Sequence, residues 1–152
     1  MSIAGSSDTF QGKFSPINLL EHSEEGRWVT PNNKGGFVVF NLGCARDLNN
    51  VQLAATISDG WRDRGAKRII VSVGDSPDGQ WTKVLSKTMP DYRKHKEPLP
   101  LVSFKLEEMV STQFVKLECT EWYGHSCALQ YFNVGDQEIG PEISKCMNFE
   151  EK

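Results

Sequence analysis

Short runs of alternating apolar and polar residues recur along the whole chain, separated by glycine, proline, aspartate and asparagine, and no window of a dozen residues carries a helical stripe. Alternation of this kind puts every second side chain on one face of an extended backbone. GGFVVFNLG (35–43) is an apolar run of strand length behind paired glycines, and VQLAATIS (51–58) sets Val51, Leu53, Ala55 and Ile57 on one face. KRIIVSVG (67–74), the turn DSPDG (75–79) and QWTKVLS (80–86) form a predicted hairpin, because Asp, Pro and Gly preset turn geometry. LVSFKLE (101–107) aligns Val102, Phe104 and Leu106, QFVKLEC (113–119) aligns Val115, Leu117 and Cys119, and ALQYFNVG (128–135) supplies a last strand.

Eight or so strands without intervening helices bury their apolar faces sheet against sheet, so the pattern predicts an all-β fold, an antiparallel jelly-roll barrel or sandwich. The 152 residues suit one domain, which at this size buries about 70% of its unfolded surface. No repeat, low-complexity segment or linker divides the chain; residues 1–140 read as the domain and 141–152 as a C-terminal tail.

Charge and cysteine content narrow the function classes. A formal net charge of -3 argues against a nucleic-acid partner, whose phosphates call for a cationic surface. No apolar run approaches the roughly 18 residues of a membrane helix, and MSIAGSSDTFQGK lacks the apolar stretch of a secretory signal, as in a cytoplasmic chain or one whose signal has been removed. Cys44, Cys119, Cys127 and Cys146 permit two disulfides in three connectivities, or four free thiols. Cys119 and Cys127 flank the stretch EWYGHS (121–126), so a bond between them would close it, while Cys44 and Cys146 are the other candidate pair. A metal reading would recruit Cys119, His125 and Cys127, but no Cys-x-x-Cys or other zinc spacing is present. A nucleophile reading of Cys127 with His125 lacks a third, orienting group.

The order of segments then becomes informative. NLL (18–20), an acidic loop, RWVTP (27–31), FVVFNLG (37–43), VQLAATIS, a basic loop, KRIIVSVG, DGQWTKV (78–84), QFVKLE (113–118) and LQYFNVG (129–135) together resemble the discoidin family, the coagulation-factor C-type or galactose-binding-like domains, over roughly residues 2–136. The resemblance implies an eight-stranded jelly roll whose loops at one end form a ligand surface. It implies a non-catalytic, lectin-like module that binds glycans in cell adhesion or surface recognition, at an extracellular or cell-surface location. Anionic phospholipid heads or a protein partner are the alternative ligands, and the oligomeric state is left open. Many members join the domain's ends with a cysteine pair, whereas here no cysteine precedes Cys44. Calcium-holding relatives use an acidic loop plus a glutamate in the last strand; Glu21 and Glu24 supply the loop, but Gln130 stands in the strand, which argues against calcium.

Threaded through that barrel, the loops 21–31, 58–67, 87–98 and 121–126 gather at one end, and Cys44 lies at the other. Sugar recognition needs an aromatic face and directional partners for hydroxyls. The expected ligand-binding residues are accordingly Trp61, Arg62, Asp63, Arg64, Lys67, Tyr92, His95, Trp122, Tyr123 and His125. The competing reading packs Trp122 and Tyr123 beneath the loop and leaves WRDRGAK (61–67) as a solvated charge run with Asp63 pairing one arginine. A lipid-binding version would use Trp61 and Met89 as exposed apolar spikes.

Overall fold

A computed structural model describes residues 1–21, 26–55, 64–92 and 101–135. Among the described residues the strands are β1 (Ser2–Ser6), β2 (Trp28–Val29), β3 (Gly36–Ala55), β4 (Arg64–Gly74), β5 (Thr82–Thr88), β6 (Leu101–Gly124) and β7 (Ala128–Val134), with short 3-10 turns at Gly12–Phe14 and Pro16–Leu20. All pairings are antiparallel. The fold class is the one the alternation predicts.

Among the described residues seven strands stand where about eight are expected: β3 and β6 each run through two segments that the hydrophobic pattern separates, while β1 and β2 are strands that it does not mark. The register slips between Asn41 and Arg46 and again between Leu48 and Asn50, and Gly43 takes a φ of 91°. Such bulges bend a strand without ending it. As a result Gly36–Asn41 pairs with Phe114–Cys119 in one layer, and Asn50–Ala54 pairs with Leu101–Lys105 in the other. The first layer is completed by β1, β4 and β5, the second by β2 and β7.

The core lies between these layers. Phe40 from the first stacks on Phe132 from the second at 4.7 Å between ring centres, and both rings are fully buried. Each contributes roughly 2–3 kcal/mol through burial. Val51, Leu53, Val115, Leu117 and Cys119 point inward as the alternation requires. β7 is buried along its whole length, since the Pro16–Leu20 turn packs Leu19 and Leu20 against it. The registers Gly36 with Cys119, Arg64 with Gly124 and Arg68 with Thr88 bring the β2–β3 loop, the start of β4, the end of β5 and the β6–β7 loop to one end of the sandwich.

Candidate binding rim

β6 continues to Gly124, so Glu121, Trp122 and Tyr123 of the expected loop 121–126 belong to the strand and pair with β4. A disulfide links Cys119 within β6 to Cys127 at the turn into β7, with Cα atoms 6.3 Å apart. Both cysteines are buried, at 1% and 0% exposure. This bond removes the thiolates that a zinc site or a Cys127 nucleophile would need. Cys44 is also disulfide-bonded, and Cys146, its expected partner, lies outside the described residues. Between Cys119 and Cys127 the chain reverses at Gly124, whose φ of 75° is a left-handed conformation that side-chain-bearing residues rarely adopt.

Backbone hydrogen bonds tie this loop to its neighbours. The Asn33 N–H donates to the His125 carbonyl at 2.7 Å, the Thr30 N–H to the Cys127 carbonyl at 3.0 Å, and the Gly65 N–H to the Ser126 carbonyl at 3.1 Å. The Cys127 N–H donates to the Thr30 hydroxyl oxygen at 3.0 Å, and that hydroxyl donates to the Lys34 carbonyl at 2.7 Å. Gly35 runs so close to β6 that a Cβ there would collide with the Cys119 carbonyl oxygen.

Arg64 stands where these loops meet. It is 8% exposed, so it is neither a surface-loop side chain nor part of a solvated charge run, and it opens β4 instead of sitting in a loop. Its Nε donates to Ser126 Oγ at 3.1 Å and its Nη2 to Asn32 Oδ1 at 2.5 Å, while the guanidinium lies 4.3 Å from the centre of the Phe10 ring. A planar cation held by one ring and two acceptors has a fixed orientation, and its remaining N–H groups are aimed in advance.

The other expected rim residues divide into several groups. Tyr123 is half-buried and its hydroxyl donates to the Met89 carbonyl at 2.9 Å; exposed Lys67 carries its ammonium 5.6 Å from that ring. His125 is exposed at the loop tip. Trp122 and Tyr92 are half-buried and lean on the core. Met89 is fully buried, so it cannot serve as an apolar spike for lipid. Trp61, Arg62, Asp63 and His95 lie outside the described residues. For calcium, Gln130 is a neutral, fully buried amide, Glu21 is exposed and Glu24 lies outside the described residues; no group of three metal-ligating side chains gathers among those described. Among the described residues no helix is long and apolar enough to cross a membrane.

The F5/8 type C domain family matches residues 2–134. The chain belongs to that family. Among solved structures, this F5/8 type C domain is similar to chitosan-binding module 1 of a Paenibacillus sp. IK-5 chitosanase/glucanase, with a TM-score of 0.69 at 17% identity over 87% of this chain and 92% of that one. A family 32 carbohydrate-binding module of Clostridium perfringens, solved with GalNAc-β-1,3-galactose, has a TM-score of 0.69 at 13% identity, covering 87% and 93%. The family 32 module of C. perfringens NanJ, solved with galactose, has a TM-score of 0.68 at 14% identity, covering 86% and 90%. These likenesses establish the jelly-roll sandwich of the F5/8 type C domain. No curated protein sequence matches the chain.

Sequence reasoning does not find Phe10, Asn32 or Ser126, which position Arg64. Asn32 belongs to the turn PNNKGG, just past the loop boundary drawn at Pro31, and its composition marks a turn with polar side chains. Phe10 carries no local signal, because its partner is 54 positions further along the F5/8 type C chain.

Proposed function

We propose that this F5/8 type C domain is a non-catalytic carbohydrate-binding module whose ligand docks on the Arg64 rim. The observation that carries the reading is the tethered guanidinium, buried on a scaffold of three loops. Neutral sugars are recognised by directional hydrogen bonds from groups that need little ordering on binding, plus an aromatic face against the apolar side of the ring. Arg64 is tethered to Ser126, Asn32 and the Phe10 ring, and by bonding Asn32 Oδ1 it turns the Asn32 amide nitrogen into an oriented donor. His125 adds an exposed imidazole, and Tyr123 a half-buried ring. Trp61, three residues before Arg64 in the chain, supplies the further aromatic face such a site needs, with Arg62, Asp63, Lys67, Tyr92, His95 and Trp122 completing the set. The sugar-bound relatives support the ligand class, and display of that sugar on a cell surface would make the domain an adhesion or surface-recognition module.

A glycan array followed by calorimetry tests this reading. A neutral mono- or oligosaccharide is expected to bind, and His125→Ala is expected to weaken it about 10-fold, about 1.4 kcal/mol, with a melting temperature within about 2 °C of wild type because the side chain is exposed. A bound sugar whose affinity is indifferent to both His125→Ala and Asn32→Ala would overturn the rim, and binding only to anionic vesicles would overturn the ligand class.

A further inference from the structure

Among the described residues Arg64 is the one charged side chain that is buried. At 8% exposure it meets a hydroxyl, an amide oxygen and the face of a ring, and no carboxylate is among these partners. Lys116, whose side chain is 23% exposed, has Glu118 at 4.0 Å. The cation that water screens least is therefore the one whose described partners are all neutral. Taking a charge out of water costs far more than neutral dipoles return, so buried charges are as a rule paired with opposite ones.

Holding the rim loops together accounts for two of the three guanidinium nitrogens, Nε on Ser126 and Nη2 on Asn32. Nη1 has no partner among the described residues, and, unlike Trp28 Nε1 and Arg46 Nη2, it is not sealed from solvent. The small part of Arg64 that stays accessible therefore includes Nη1. Phe10 covers one face of the guanidinium, so an incoming group meets its N–H edge. Tethering does not call for a full charge either: a neutral amide could donate to a hydroxyl and to an amide oxygen with less lost hydration.

We infer that the rim prefers a sugar bearing a carboxylate, a uronic acid residue, over its neutral counterpart, with the carboxylate seated on Arg64 Nη1. This inference rests on the rim being the sugar site and adds the ligand's charge to it. A neutral sugar engages Asn32 and His125 and leaves the buried cation as it was, whereas a uronate supplies its counterion as well. A planar carboxylate matches the N–H edge of a guanidinium, and charge-assisted hydrogen bonds of this kind are about twice as strong as neutral ones. Little order is lost on binding, because Ser126, Asn32 and Phe10 already hold the guanidinium. Lys34 and Lys67, exposed at the same end, draw an anion toward the rim but impose no geometry on it.

The test titrates the whole domain with the methyl glycosides of galacturonate, glucuronate and mannuronate, each beside its neutral parent hexoside and its own methyl ester. At least one uronate should bind about 10-fold more tightly than both its parent and its ester, and the ratio should shrink as salt is raised. Arg64→Gln should bring that ratio to about 1, and Arg64→Lys, which keeps a charge but lacks the planar edge, to about 3. Both variants are assayed below their melting transitions, and Arg64→Lys alone suffices if Arg64→Gln does not fold. His125→Ala should weaken uronate and parent by the same factor and leave the ratio intact. The inference is overturned if parent or ester binds as tightly as the uronate, if Arg64→Lys keeps the full ratio, or if the 6-sulfate of a parent is preferred and its uronate is not. It is also overturned if Asp63→Asn strengthens uronate binding more than about 5-fold, since the guanidinium would then already have its carboxylate. Parents and uronates that bind alike remove the charge preference and leave the sugar rim standing, whereas a failure of every sugar to bind removes both.

Discussion

Replacing Arg64 by alanine is the sharpest test of how the rim is built. The change deletes a hydrogen bond to fully buried Ser126, a second to exposed Asn32, and the stacking on Phe10. The first, from a charged donor at a buried site, contributes on the order of 1.5–2 kcal/mol, and the second, open to water, roughly 0.5–1. The cation on the Phe10 ring adds about 1 kcal/mol. Water entering the space restores part of the loss, which leaves a destabilisation of about 2–3 kcal/mol. For a domain of this size, each kcal/mol lowers the melting temperature by roughly 2–4 °C, so Arg64→Ala should lower it by about 4–12 °C in differential scanning calorimetry. Arg64→Lys keeps a cation near Phe10 but cannot present Nε and Nη2 in one plane, so it should fall about midway. A drop under 2 °C for Arg64→Ala, or equal behaviour of Arg64→Lys and wild type, would refute the view that the guanidinium holds the loops together.

Two further outcomes follow from the same region. Cys119→Ser/Cys127→Ser should destabilise the domain by about 2.5 kcal/mol in urea titration, the loop-closure value for a separation of 8 residues, without altering the far-ultraviolet circular dichroism spectrum. Gly35→Ala should cost more than about 3 kcal/mol, because its Cβ meets the Cys119 backbone oxygen rather than a side chain that can turn away, and thermal melting reads this directly.

The face of each strand was legible because it depends on local alternation: Val51 and Leu53, like Val115 and Leu117, point inward as their spacing requires. The continuity of β3 through ARDLNN was not, since a polar stretch at a bend looks like a loop until the partner strand that satisfies its backbone is known. Arg64 shows the same limit at the site. Its neighbours in sequence suggest solvated charge, and its burial is set by Phe10, Asn32 and Ser126, each more than 30 positions away. By contrast, His125 and Gly124 could be placed at a loop tip from the dense turn chemistry between two strands.

The passage of β3 and β6 through both layers also governs how the chain acquires its structure. Gly36 has its partner at Cys119 and Ala54 at Leu101, so neither layer can be completed from the first half of the polypeptide. Contacts this distant along the chain make folding slow, in the millisecond-to-second range of sandwich proteins, and they leave no half-sized unit with a closed core. During synthesis β3 therefore remains without its partner until β6 has emerged, and the two layers then form in a single cooperative step.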